Sequence, residues 1–489
     1  MATTERPPWI ITEQRDFTGG ENLKLLPSFV KPNQLVLAQN CVLTAEGVLE
    51  TRPGKTRVNN VSLGAGPILG AWRFAKEDGS KYLVVQHGTS LYATEWDGAT
   101  PFETFGTAVK SGLTANAKLR GVVWKDNLLL TNGVDNPFRF DGTSCTDLAG
   151  TPPKSKVIAI YGSRVWFVDE AYPSQIRFSG LEDFDTWDAL DLIKIRDADG
   201  DRIRNLLPQN GGLVILKDSS AWVLYGTSRF DIRVSTSPLA DFIGSASFDG
   251  AINYGLFLGQ DNLYTVSLNA LEPMPETHTP LIERLTAAQK AAVVAGVHPL
   301  TRRALFHLPT GATIVADFKY NAITQWLGLN ASCFAVASAA GDDGALLIGD
   351  ASNGLVYRLA GDDDDDGAAI DTFIKESYRD YDTPRQKVWR YFKPDIDLLT
   401  AGDNYDVLLK YDVDYKRFSN LEIQGGPLDN TLVWDGGDWD AQEWGPGVTA
   451  VEPFWLHQAR GQRISFELRT AGRIRFRGYT TKFREAGAI

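Results

Sequence analysis

Five histidines, His87, His278, His298, His307 and His457, are the first places to look for acid–base or metal chemistry. No two stand at the i, i+2 or i, i+4 spacing that presents two imidazoles to one metal, and no cysteine accompanies them. The three cysteines, Cys41, Cys145 and Cys333, are far apart and form no Cys-x-x-Cys pair. Their odd number argues against a disulfide framework and for a reducing compartment. Asp197, Asp199 and Asp201 sit in a DADGD run that looks like the opening of a calcium loop. The twelfth position of such a loop must be a bidentate glutamate, and here it is Pro208, so an ordinary acidic turn is expected. No Gly-x-Ser-x-Gly elbow, phosphate loop or dinucleotide fingerprint appears. The expectation is a chain without catalytic, metal-binding or cofactor-binding residues.

Polar chemistry of another kind remains. Arg473, Arg475 and Arg477 alternate along a strand, so they share one face about 6.7 Å apart. They belong to a C-terminal stretch, from Val451 onward, with eight basic and three acidic residues. This is either a solvated outer face or an interface with an acidic partner surface, such as a neighbouring subunit's aspartate run. That run is Asp362, Asp363, Asp364, Asp365 and Asp366, bounded by glycines. Five like charges repel one another, so an exposed hinge is expected. Trp434, Trp439 and Trp444 stand five apart in a Gly/Asp-rich stretch, as binding anchors or as lids on a small core.

The elements that must carry these residues are strands. Seven times an apolar strand runs into a polar turn and out again, at 82–94, 122–131, 157–168, 212–225, 256–266, 304–318 and 345–359. The strands do not alternate: Leu213 to Leu216, Leu128 to Leu130 and Val165 to Val168 are apolar on both faces of the pleat. A sandwich strand would be polar on its solvent side, whereas a blade stacked between two blades is covered on both. The turns recur roughly every 37 to 55 residues, as when each hairpin is the middle of a four-stranded blade. The expected fold is all-β, a β-propeller of six or seven blades over 61–361. An N-terminal arm and platform strands over 1–60 precede it, with a short hairpin through Val42 and Leu49 and a turn at Arg52-Pro53-Gly54. One helix is expected over 279–294, capped by Thr279 with Pro280 in its first turn. After the acidic hinge at 362–367, residues 368–489 form a second β domain, a sandwich or barrel. There Ile464, Phe466 and Leu468 point inward and Arg463, Ser465 and Glu467 outward.

The net charge of −12 disfavours a protein that grips duplex DNA, because that affinity comes from cations neutralising phosphates. The same sign suits one that lets nucleic acid pass without sticking. The start, MATTERPPWIITEQ, has no apolar core segment of a secretory signal, and no run approaches the length needed to span a bilayer.

Some of these residues also form a familiar pattern. Asn40, then Gly47-Val48-Leu49, then Arg52-Pro53-Gly54 is similar to the opening signature of phage tail proteins. PLIERLTAAQ, RALFHLP, IVADFKYNAITQW and LIGDASNGLVYRL, with the closing RISFELRTAGRIRFRGYTTKF, resemble the packaged-DNA stabilisation proteins of short-tailed bacteriophages. The resemblance covers most of the chain in order. It implies a virion structural protein, a homo-hexameric tail nozzle below the portal and its adaptor ring, with the propeller on the outside of each subunit. Such a ring would meet tail fibres or spikes and conduct double-stranded DNA through its centre without binding it tightly. The implied location is the virion tail, assembled in the host cytoplasm. The family propeller usually has six blades, whereas seven hairpins are present here. Two other readings stand beside it: a β-propeller lectin or glycosidase acting on host surface polysaccharide, and a tail component of a long-tailed phage or gene-transfer particle.

Overall fold

The computed structural model describes residues 7–486, except 45–46, 99, 198, 254, 338–343, 400–405, 415, 425–453 and 456–459. The chain divides into two compact units. The larger holds Lys55–Thr313 and Leu329–Ala360; the smaller gathers Met1–Gly54, Ile314–Gly328 and Gly361–Ile489.

The larger unit is a β-propeller. Its first sheet contains Ile68–Ala75, Lys81–His87 and Ser90–Glu95, and its second contains Arg120–Trp124, Asn127–Thr131, Phe138–Phe140 and Cys145–Asp147. The third contains Ile158–Tyr161, Arg164–Val168, Gln175–Phe178 and Leu192–Lys194. The fourth contains Ile203–Gln209, Gly212–Lys217, Ser220–Tyr225 and Arg233–Val234. The fifth contains Ala251–Ile252, Leu256–Leu258, Leu263–Val266 and Leu271–Pro273. A sixth begins with Val294–His298 and Arg303–His307. The seventh pairs Ala331–Val336, Leu346–Asp350 and Val356–Asp362 with the early strand Gly54–Arg57. Each hairpin read from the sequence falls in a different sheet. Five supply second and third strands, whereas 122–131 and 157–168 supply first and second strands. The second strand of the 304–318 hairpin, Ala312–Asp317, leaves the unit after Thr313.

The doubly apolar strands have the stacking that their composition demands. Along Gly212–Lys217 every residue is buried. Leu213 and Ile215 pack with Trp166, Val168 and Ile176 of the third sheet, while Val214 and Leu216 pack with Phe257 and Tyr264 of the fifth. Leu128 and Leu130 likewise join Phe74 and Val84 of the first sheet, and Leu129 joins Val165 and Phe167 of the third. Each such side chain removed from water contributes roughly 1.5–3 kcal/mol. The circle closes where the early strand meets the last sheet. The Val58 N–H donates to the Val356 carbonyl at 2.8 Å, and Asn59 Oδ1 accepts from the Val356 N–H at 2.8 Å. Val58 and Ile68 then share a cluster with Leu347 and Val356.

The smaller unit is a two-sheet sandwich. One sheet runs Cys41–Leu43, Leu49–Thr51, Ile474–Glu485, Lys387–Leu398 and Phe454–Trp455, with Ile10–Gln14 added against the long C-terminal strand. The other runs Ala322–Leu327, Leu35–Gln39, Thr372–Glu376, Ile464–Thr470, Asp406–Val413 and Lys416–Gln424. They meet over Phe392 and Phe466, whose ring centroids lie 3.9 Å apart, and over Tyr479, 5.2 Å from Phe466.

Several local expectations need correction. Ile464, Phe466 and Leu468 are buried as expected, but Ser465 and Glu467 are buried too, at 2% and 5% exposed. Ile464–Thr470 is a central strand, flanked by Thr372–Glu376 and Asp406–Val413, so its polar side chains meet neighbours instead of water. The helix over 279–294 is two short helices, Thr279–Glu283 and Ala287–Ala291. Thr286 interrupts it by forming a capping box with Gln289, and Thr279 is the first helical residue, not the cap. Gly54 begins a strand instead of ending a turn. The N-terminal platform segment and the C-terminal β segment belong to one unit, together with Ile314–Gly328.

Candidate functional site

The residues singled out from the sequence lie in different settings. Trp434, Trp439 and Trp444 lie outside the described residues, as does His457. Arg475 and Arg477 lie on the outer face of Ile474–Glu485 and Arg473 just before it, and each is met by a carboxylate of its own chain. Arg473 pairs with Asp363 at 2.8 Å and Glu50 at 3.2 Å, Arg475 with Glu50 at 3.3 Å, and Arg477 with Asp397 at 2.5 Å. The acidic partner foreseen for a neighbouring copy is supplied for Arg473 by the same chain.

The aspartate run is folded. Asp362 ends the strand Val356–Asp362, Asp363 and Asp364 are exposed, and Asp366 takes φ 59° in a turn bridged between Asp365 and Ala368. Asp365 faces inward. It receives Arg52 Nη1 at 2.9 Å and Nη2 at 2.5 Å, a two-pronged pair in which Arg52 is 1% exposed and Asp365 11%. The expectation of an unpacked hinge missed the internal cation that neutralises one of its charges.

Arg52 is the centre of a wider node. Its Nε donates to Asn40 Oδ1 at 3.1 Å, its Nη2 to the Leu327 carbonyl at 2.9 Å, and its guanidinium lies 5.8 Å from the Trp326 ring centroid. Asn40, at φ 56°, accepts the Leu327 N–H at 2.7 Å and donates to the Asp371 carbonyl at 2.8 Å. Trp326 Nε1 donates to the Cys41 carbonyl at 3.0 Å. The node thus fastens the three stretches that make the smaller unit.

The DADGD turn holds a protein cation where a metal would have to sit. Lys217, fully buried at the end of Gly212–Lys217, places its Nζ 2.9 Å and 3.0 Å from the two Asp199 carboxylate oxygens and 3.1 Å from the Ile195 carbonyl. Asp201 caps the Ser219 N–H at 2.8 Å and accepts the Ser220 hydroxyl at 2.6 Å, while Asp197 pairs with Lys194 at 2.7 Å. Although burial opposes it, the Lys217 hydrogen bond holds the Asp199 carboxyl below the usual range. Among the described residues no three His, Cys, Asp or Glu side chains converge as a metal site. His307 bonds Thr313 Oγ1 through Nδ1 at 2.9 Å, and burial, with Lys55 nearby, pushes its pKa down to about 4. All three cysteines are free thiols.

Sequence reading missed the centre of the propeller. The first strand of each sheet lines one cavity of about 730 Å³. Phe248 and Asp249, from the segment entering the fifth sheet, sit in it. Arg120, from the second sheet, grips Asp249 through Nε at 2.8 Å and Nη2 at 3.0 Å, and Lys118 adds a contact at 3.6 Å. Lys118 also donates to the Ser332 carbonyl of the seventh sheet at 2.8 Å. The cations of Arg120, Lys156 and Arg204 lie 5.3, 5.7 and 4.7 Å from the Phe248 ring centroid. The Ala295 N–H fixes the Asp249 carbonyl at 2.7 Å, and Asn205 fixes the Ser247 carbonyl at 2.9 Å. This is a plug that ties blades across the channel. Burial pushes the Asp249 pKa upward, but Arg120 and Lys118 outweigh it and keep the group ionised. Cys333, also lining the cavity, has its thiol raised by burial to about 11 and stays protonated. No periodicity marks Phe248-Asp249, which lie in an irregular Ser/Gly segment.

Fold and site together define a β-propeller and a β-sandwich, each with ion pairs that fasten its elements. No family model matches the chain, and no curated protein matches it. Among solved structures it is similar to the Pan2 WD40 domain of Neurospora crassa, at TM-score 0.40 and 10% identity over 62% of this chain and 95% of that one. It is also similar to the extracellular domain of a hybrid two-component system from B. thetaiotaomicron, at TM-score 0.41 and 9% identity. That match covers 72% of this chain and 43% of the other. Among the described residues no helix is long and apolar enough to cross a membrane.

Proposed function

We propose that the chain is a virion structural protein: the hexameric tail nozzle of a short-tailed bacteriophage, holding packaged DNA in the particle and conducting it at ejection. One observation carries the reading. Asn40 with Arg52-Pro53-Gly54 is similar to the opening signature of phage tail proteins, and Gln325-Trp326 in the strand Ala322–Leu327 resembles the nozzle family. The two are nearly three hundred residues apart, and they meet. The Asn40 N–H donates to the Gln325 carbonyl at 2.8 Å, and Arg52 lies against Trp326. Residues that resemble a signature separately, and then build one buried node together, are what a shared architecture requires.

The conduit in this reading is the space enclosed by the ring of copies. The propeller's own channel, about 730 Å³ and crossed by Phe248 and the Arg120–Asp249 pair, has no room for a duplex. Copies of formal charge −12 would surround the DNA with like charge, so it is repelled and does not adhere. The mechanism is steric retention with electrostatic non-adhesion, and no chemical step is involved. The test is assembly of particles without this chain. The expected result is heads that fill and then lose their DNA. Particles that retain and eject DNA normally, or hydrolysis of a host polysaccharide by the purified chain, would overturn the proposal.

A further inference from the structure

The smaller unit carries a second row of cations, Lys482 and Arg484, that differs from the first in meeting no acid among the described residues. Along Ile474–Glu485, a register shift against Lys387–Leu398 falls between the partners of Asp395 and Ile396, beside Gly478 at φ +132°. Before the shift Ile474 and Phe476 are buried, and after it Tyr479, Thr481 and Phe483 are, so Arg475, Arg477, Lys482 and Arg484 all face outward. One extra residue in a strand has this effect, because the pleat alternates with period two. Arg473, Arg475 and Arg477 are neutralised by Glu50, Asp363 and Asp397. Lys482 and Arg484 make no ion pair among the described residues.

Instead they gather round Trp9. Arg484, Arg390 and Lys482 place their cations 4.9, 5.2 and 5.9 Å from its ring centroid. The indole face attracts each of them, yet Lys482 and Arg484 are like charges beside one ring, and an arriving anion would relieve their repulsion. Trp9 leads into Ile10–Gln14, which pairs with the C-terminal strand on one side, from Ile10 opposite Phe483 to Gln14 opposite Tyr479. Among the described residues no strand pairs with its other side. Ile10 and Ile11 on this strand are 40% and 57% exposed.

An open strand edge, exposed aliphatic side chains on it and the Lys482 and Arg484 cations occur together here. A phosphodiester backbone would satisfy the cations but leave the edge N–H and C=O groups and the apolar side chains without partners. An extended acidic protein segment satisfies all three by adding a strand. Two such patches would repel each other, so the partner surface must be a different, acidic one. The chain, at −12 overall, carries an excess of acidic residues outside this patch. A patch meeting an unlike patch on the next copy is a head-to-tail contact, and head-to-tail contacts form a ring when the rotation between copies closes.

We infer that the open edge of Ile10–Gln14, with Trp9, Lys482 and Arg484 beside it, is the surface on which a second copy of this chain seats an acidic, extended segment. The inference rests on the self-assembly in the proposed function and names the face that performs it. Sedimentation velocity of the full chain at low and high ionic strength tests it. Lys482→Glu with Arg484→Glu is expected to weaken association roughly tenfold or more, as is Ile11→Asp, with near-ultraviolet circular dichroism unchanged. Lys482→Arg with Arg484→Lys should associate as the wild type does, and salt should weaken all associating forms. Glutamate variants that associate like the wild type would overturn the inference and leave the nozzle reading standing. A labelled DNA duplex that binds the wild type and not the glutamate variants, with association unaffected, would also overturn it. A wild-type chain that stays monomeric at every concentration would remove both.

Discussion

The two units are built by opposite means. In the propeller the first five sheets are each made from consecutive residues, and the seventh is completed by the early strand Gly54–Arg57. Adjacent sheets adhere through apolar side chains on both faces, as Leu213 and Ile215 do on one side and Val214 and Leu216 on the other. In the sandwich, strands come from three separate stretches of chain, and buried polar groups fasten them: Arg52 with Asp365 and Asn40, and Glu376 with Tyr479 and Arg379. Non-directional burial holds a fold whose connectivity is simple. Directional bonds appear where distant segments must find one register, a use of buried polar groups that carries specificity more than stability.

The largest effect expected from breaking this contrast is in the node. Arg52→Met leaves Asp365 and the Asn40 amide without their buried partner and should cost about 3–5 kcal/mol. Calorimetry should show the transition of the sandwich lowered and that of the propeller unmoved. A loss below about 1 kcal/mol, in the range of a surface pair, would mean that the node is decoration. Ile215→Ala should do the reverse, costing about 3 kcal/mol in the propeller transition alone, within the range for a fully buried isoleucine.

A smaller effect separates the units by pH. Burial raises the Glu376 pKa in spite of Arg379 and the Tyr479 hydrogen bond at 2.5 Å. A raised carboxyl contributes stability that is fully present below its unfolded value of about 4.3 and is lost as pH rises through the folded value. The Asp249 pKa is lowered, so its contribution is present above about 3.9 and is lost only as pH falls through the folded value. Unfolding midpoints followed from neutrality down to the unfolded value of about 4.3 should therefore rise for the sandwich, and Glu376→Gln should flatten that rise. Asp249→Asn should cost the propeller about 1–2 kcal/mol at neutral pH and blunt its acid sensitivity. The smallest effect belongs to the outer arginines. Arg473→Gln, with a side chain one quarter exposed, should change the sandwich midpoint by about 0–1 kcal/mol, measured in the same melts.

What was legible in the sequence follows the same division. The propeller hairpins could be read because Leu128 to Leu130 and Val165 to Val168 declare burial on both faces within a few residues. The sandwich was legible as strands but not as an arrangement. Nothing local tells that Ser465 and Glu467 lie on a central strand, where their hydrogen-bonding partners, the Glu376 carbonyl for one and Lys375 for the other, come from another stretch. Thr286 stops a helix that apolar spacing would continue, because a capping box with Gln289 wins over periodicity. Lys217 carries a signal that could have been used: a lysine ending an apolar run and lying near an acidic turn in sequence. Phe248-Asp249 carries none, since a plug is defined by strands that converge on it from the whole ring.

The reading of function stands on location and symmetry, which imaging reports most directly. Electron microscopy of the purified particle, with this chain carrying a fused label, should place six labels in one ring at the tail below the portal. Labels on lateral fibres, scattered over the capsid or absent from the particle would contradict the account.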